Sequence, residues 1–192
     1  MLILGLDPSQ QCGYALYDTT ANISAIRCGV LRAKGDFYEA KAADLARQLV
    51  KLIKTERPGF VAMEMPLRMQ PGGKARKTKF MGEDVEEEQP KGSGINAVIS
   101  SNQMVGSLIG IVGAYGLPFE IMSPSNWRKA AYGFGTRPGW GRADWKKHAR
   151  QKCSQVRITV TNDDMAEACW IAFAGASSQT FKMISQRTAE VA

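Results

Sequence analysis

At 192 residues with 44% hydrophobic content, the chain is long enough to bury one sizeable core as a single domain. It has no unbroken apolar run of about 18 residues and no charged-then-apolar leader, so neither a membrane span nor a secretion signal is expected. Four scattered cysteines (Cys12, Cys28, Cys153, Cys169) without CxxC spacing, and a single histidine, argue against a zinc site and point to free buried thiols in a reducing cytoplasm.

In chain order, residues 1–7 form a short apolar run ending in Asp7. Strands are predicted over 13–18 and over 23–32, where Ile26, Cys28 and Val30 alternate. Tyr38, Ala42, Leu45, Leu49, Leu52 and Ile53 recur at helical spacing until "RPG" at 57–59 stops the helix. "FVAME" at 60–64 is a second apolar strand, this one delivering Glu64. Residues 66–94 carry five positive then five negative charges bracketed by Gly and Pro, and read as a mobile loop or hairpin insertion. Its acidic strip is expected to be solvated rather than metal-bound.

A second helix is predicted over 95–115, with Ile95, Val98, Val105, Leu108, Ile109 and Val112 on one face, and with Gly106 and Gly110 permitting close packing on the sheet or a neighbouring helix. A strand at 117–122 leads into "SPSNW", where Ser123 caps a helix and Pro124 occupies its first turn. A basic helix follows at about 142–153, and a final helix near Asn162. This alternation predicts an α/β fold with a mixed sheet. Ligands in such sheets gather at the carboxyl ends of parallel strands, where Asp7 and Glu64 sit.

The net charge of +7 is concentrated. Residues 123–157 hold nine Lys or Arg against Asp144 alone, while the rest of the chain sums to −1. Trp127, Tyr132, Phe134, Trp140 and Trp145 lie among those cations, and basic side chains interleaved with aromatics suit a nucleic-acid backbone with stackable bases. A plain solvated basic helix is the alternative.

A third acidic group lies in "TNDDMAEACWIAFAG". Asp164 and Glu167 are three residues apart at a helix start and emerge on one face. The same spacing is also that of a capping box, which needs no ligand, and Asp163 is itself a candidate cap. If the four carboxylates Asp7, Glu64, Asp164 and Glu167 converge, they cannot all stay ionised without a cation. Oxygen-only ligands select hard ions, Mg²⁺ or Mn²⁺, and a pair of such ions is an arrangement that cleaves phosphodiesters. Acid cluster and basic rim together read as a nuclease.

Four segments then carry a resemblance. "ILGLDPSQQCGYAL", "VAMEMP", "SPSNWRKAAYGFG…GRADWKKHARQKC" and "DDMAEACWIAFA" resemble, in order, segments of the RuvC-type Holliday junction resolvases of the ribonuclease-H-like superfamily. The likeness runs from Met1 to about Ala176. It implies a ribonuclease-H-like fold, a five-stranded mixed sheet flanked by helices. It implies a homodimer that nicks symmetry-related strands of four-way and other branched DNA, with two Mg²⁺ ions per site (Mn²⁺ substituting), no membrane and no small-molecule cofactor. Asp7 takes the place of the ligand bridging both metals, Glu64 of a ligand to one, and Asp164 and Glu167 of the two positions on the last helix. DNA contacts are expected from Arg68, Lys74, Arg76, Lys77, Arg128, Lys129, Arg142, Lys146, Lys147 and Arg150.

Three departures accompany the resemblance. Glu167 stands where the family usually has Asp. Trp145 stands where many members have a lysine, with Lys146 one residue on. No aromatic wedge follows Glu64: Leu67, Met69 and the more distant Phe80 are the residues available. A ribonuclease-H-like nuclease acting on flaps, forks or RNA–DNA hybrids, and a non-catalytic DNA-binding module of the same fold, are the alternatives.

Overall fold

The computed structural model describes residues 1–66, 76–80, 83–87 and 92–191, with side chains over 1–66 and 95–187. A five-stranded sheet forms from β1 (Leu2–Asp7), β2 (Gln11–Asp18), β3 (Arg27–Arg32), β4 (Phe60–Glu64) and β7 (Phe119–Met122), in the order β3-β2-β1-β4-β7. β1 pairs antiparallel with β2 and parallel with β4, and β4 pairs parallel with β7. The expected five-stranded mixed sheet is therefore present. Between β4 and the long helix that follows, β5 (Arg76–Phe80) and β6 (Glu83–Glu87) pair as an antiparallel ribbon.

The sheet is covered on both faces. α1 (Tyr38–Glu56) and α2 (Gly92–Ala114) bury Leu45, Leu49, Ile53, Met104, Leu108 and Val112 against Leu4, Leu6, Val61 and Met63. α3 (Pro124–Tyr132), α4 (Arg142–Gln155), α5 (Asp163–Gly175) and α6 (Gln179–Val191) lie on the other side, where Trp127, Ala149, Trp170 and Phe181 join Ile3, Ala15, Phe60 and Ala62. Strand alternation explains the division, since successive side chains point to opposite faces.

α5 lies closest to the sheet because the residues beneath it are small. A Cβ added to Gly5 would stand 2.5 Å from the Ala168 carbonyl oxygen, and one added to Gly13 would collide with the Asp164 carbonyl. α5 answers with Ala168 and Ala172 over Gly5. This close seat fixes where the first turn of α5 meets the ends of β1 and β2.

Three expectations change. The third strand begins only at Arg27, because Ile23–Ala25 form a single 3₁₀ turn capped by Asn22. Gly106 and Gly110 do not touch the sheet: among the described residues nothing lies within 4 Å of a Cβ added at either. Ile95, expected on one face with Val105, Leu108 and Val112, is 59% exposed while those three are buried. α2 thus has a buried face and an outward face of Ile95, Ile99 and glycines. By length and mean hydropathy of 1.4, Ile95–Ala114 is apolar enough to cross a membrane, although polar residues interrupt its apolar run. Its inner face packs on α1 and the sheet, but only 22% of that stretch is buried among the described residues.

Candidate active site

The pleat decides where the strand-end carboxylates go. Ile3 and Gly5 face α5, so Asp7, two residues further on, emerges on the same side. On β4, Phe60 and Ala62 face α5, and Glu64 follows them. The parallel register pairs Leu6 with Met63 and so brings Asp7 and Glu64 alongside each other at the carboxyl ends of neighbouring strands.

The first turn of α5 completes the group. Its cap is Asn162, whose side-chain oxygen accepts from the Met165 N–H at 2.8 Å. Neither Asp163 nor Asp164 is therefore the cap, and the capping-box alternative does not apply. Asp7, Asp164 and Glu167 each present a carboxylate oxygen, all within 4.8 Å of one another. Glu64 stands beside this trio, its Oε2 accepting from the Trp127 indole N–H at 2.6 Å.

Electrostatics at this point are unbalanced. Burial, reinforced by Glu64, Glu167 and Asp164, holds the Asp7 carboxyl well above the usual carboxylate range, against the opposing pull of Lys146. Burial raises Glu64 too, although the Trp127 hydrogen bond, Arg128, Arg142 and Lys146 oppose it. Burial and Glu64 push Glu167 up to about 7, with Lys146 and Arg128 opposing. The Lys146 ammonium lies 3.4 Å from Asp164, 3.7 Å from Asp163 and 3.8 Å from Glu167, and Arg128 lies 3.8 Å from Glu167. Even with these cations in place, burial and mutual repulsion leave Asp7, Glu64 and Glu167 resisting ionisation, which a further cation would relieve. Converging oxygen donors with unmet charge fit a hard divalent cation.

The basic segment divides into parts. Arg128, Lys146 and Arg150 turn toward the acids, Arg150 forming an ion pair with Asp163 at 3.0 Å. The substitution of Trp145 for a lysine is explained by register: Trp145 is buried beneath the Arg128 guanidinium, 4.6 Å from its ring centre, and Lys146 reaches the carboxylates instead. Arg142 is close enough to lower Glu64, and Lys129 is exposed at the end of α3. Lys147 turns to the other flank of α4, where it lines a cavity of about 310 Å³ with Arg137, Trp140 and His148. Arg68 and Lys74 lie outside the described residues, as do Leu67 and Met69; Arg76, Lys77 and Phe80 fall on β5, whose side chains are likewise outside them.

Two of the tryptophans are not offered to bases. Trp127 and Trp145 are buried, and Tyr132, Phe134, Trp140, His148 and Trp170 join them in a chain of ring contacts 4.8–6.5 Å apart. This cluster glues α3, α4 and α5 together beneath the basic surface. Sequence reasoning missed the link from Trp127 to Glu64, because 63 residues separate the two.

No family model matches the chain. The crossover junction endodeoxyribonuclease RuvC of Nitratidesulfovibrio vulgaris strain DP4 is 25% identical over 135 residues, covering 69% of this chain and 68% of that protein. Among solved structures, Thermus thermophilus RuvC superposes with a TM-score of 0.61 at 14% identity, covering 96% of this chain and 97% of that one. T. thermophilus RuvC in complex with a Holliday junction substrate gives 0.61 at 12% identity, covering 92% of each. The chain is thus similar in sequence to RuvC over about two thirds of its length, and it has the ribonuclease-H-like fold of the RuvC structures.

Proposed function

We propose that this chain is a divalent-metal-dependent endonuclease that resolves four-way DNA junctions by paired symmetric nicks, working as a homodimer. The observation that carries the reading is the convergence of Asp7, Asp164 and Glu167 within 4.8 Å, beside Glu64, in a chain similar to RuvC. Asp7, Glu64, Asp164 and Glu167 would hold Mg²⁺, or Mn²⁺ in its place, two ions to a site. Such ions activate water as the nucleophile and neutralise charge on the phosphate and leaving oxygen.

The chain's own groups do the rest. Asp7 and Glu64 arrive on two rigid strands and Asp164 and Glu167 on a helix seated tightly over Gly5 and Gly13, so the four oxygens are held before substrate arrives. Arg128, Arg142 and Lys146 bring positive charge to the acids and, with the exposed Lys129 on α3, would draw the phosphate backbone toward them. A homodimer is supported by the outward face of α2, where Ile95 and Ile99 are 59% and 43% exposed and Gly106, Gly110 and Gly113 leave room for close approach. A second copy on that face gives the two sites that paired nicking requires.

The test is a panel of end-labelled four-way, three-way, flap and RNA–DNA hybrid substrates with Mg²⁺. Paired symmetric nicks on the four-way junction are expected. Preferred cleavage of the hybrid or flap would replace the reading with another ribonuclease-H-like nuclease, and no cleavage of any substrate would make the chain a binding module.

A further inference from the structure

A buried indole N–H needs an acceptor. Trp170 donates its indole N–H to the Ala149 carbonyl oxygen at 3.0 Å, a bond that ties α5 to α4 and touches none of the candidate site residues. Trp127 does something different. It is 1% exposed, and its N–H goes to Glu64 Oε2 at 2.6 Å, across to the end of β4.

We propose that Trp127 is a positioning residue for the metal centre: its indole N–H clamps one oxygen of Glu64, fixing that carboxylate's orientation and leaving the other oxygen for a divalent cation. This inference rests on the metal-centre reading above and adds a residue to it.

The geometry of the clamp is rigid at both ends. α3 starts on a Ser123 cap with Pro124 in its first turn, which sets the helix direction. The indole is then held edge-on by Tyr132, at 5.8 Å between ring centres, and is covered by the Arg128 guanidinium at 5.1 Å. A glutamate side chain has three rotatable bonds, and β4 restrains only its Cα. Without the indole, Glu64 is free to change rotamer. With it, one oxygen is pinned by a short bond to a charged acceptor.

Tryptophan also suits the task chemically. It donates and never accepts, and it carries no charge to compete with a cation. A lysine or arginine in the same place would satisfy Glu64 by replacing the metal. An indole orients the carboxylate without cancelling its charge.

Hydrogen-bond partners outside the ligand shell typically contribute about 10–100-fold to metal affinity. Mn²⁺ binding to the full chain, followed by electron paramagnetic resonance, is therefore measured for the wild type, Trp127→Phe, Glu64→Gln and the double variant. Trp127→Phe keeps an aromatic ring but removes the donor, and is expected to weaken Mn²⁺ binding about tenfold or more. In the Glu64→Gln background the same change is expected to have no further effect, because the clamped carboxylate is gone. Equal weakening in both backgrounds, or none in either, overturns the proposal and makes Trp127 a packing residue.

A second measurement does not depend on Trp127→Phe folding. The Trp127 indole ¹H–¹⁵N resonance of metal-free protein is expected to move upfield in Glu64→Gln, and an unmoved resonance refutes the clamp. Failure of the underlying reading looks different: wild-type protein that binds no Mn²⁺, or binding that survives Asp7→Asn, removes the metal centre itself.

Discussion

Removing the charge of Glu167 tests whether the acidic cluster is held together against its own repulsion. Its carboxyl is pushed from its ordinary 4.5 up to about 7 by burial and the neighbouring Glu64. A carboxyl with a folded value above its unfolded one holds its proton more tightly in the native state. Stability of the metal-free protein therefore falls as pH rises from about 4.5 to about 7, and stays lowered beyond that. At about 1.4 kcal/mol per pH unit, Glu167 accounts for about 3 kcal/mol of that loss. The residue is only 8% exposed, so solvent screening removes little of this. Asp7 and Glu64 are raised in the same direction in both proteins, so the informative quantity is the difference between wild type and Glu167→Gln. Urea unfolding in EDTA at pH 4.5 and pH 8 measures it. The variant is expected to gain about 3 kcal/mol on the wild type between the two pH values. Excess Mg²⁺ should restore the wild type at pH 8 but not the variant. A difference that is flat with pH, or that favours the wild type as pH rises without metal, would refute the electrostatic account.

Gly13→Ala places a methyl group against the Asp164 carbonyl, so it should destabilise the fold by about 3 kcal/mol and displace the start of α5; thermal melts and Mn²⁺ affinity check both effects. Ile99→Glu puts charge on the outward face of α2 and is expected to convert a dimer to a monomer by light scattering, with paired nicking lost. Arg142→Ala should weaken junction binding and reduce the slope of log affinity against log salt by about one, whereas an unchanged slope takes Arg142 off the DNA path.

The strand-borne half of the site was legible because it depends on local rules. An apolar run that ends in a carboxylate, found at Asp7 and again at Glu64, survives folding unchanged once the two strands pair in parallel. The helix-borne half was ambiguous. Asn162, Asp163 and Asp164 all qualify as caps, and only the bond from Met165 decides among them. Tryptophans interleaved with arginines read alike whether the rings stack on bases or on guanidinium groups; here Arg128 covers Trp127 and Trp145. The outward face of α2 was misassigned for a similar reason, since isoleucines and glycines suit a buried helix as well as an open one. α6 has too thin a pattern to signal itself, with Phe181 alone buried among its described side chains. The contact from Trp127 to Glu64 is purely tertiary.

In the proposed mechanism Asp7, Glu64, Asp164 and Glu167 form one centre for divalent cations. Crystals grown with Mn²⁺ at neutral pH test it directly through anomalous scattering. Anomalous density is expected among the Asp7, Asp164 and Glu167 carboxylates, reached also by Glu64, and is expected to be lost in Asp7→Asn. Density absent there, with the Lys146 ammonium still seated on Asp164, would contradict it.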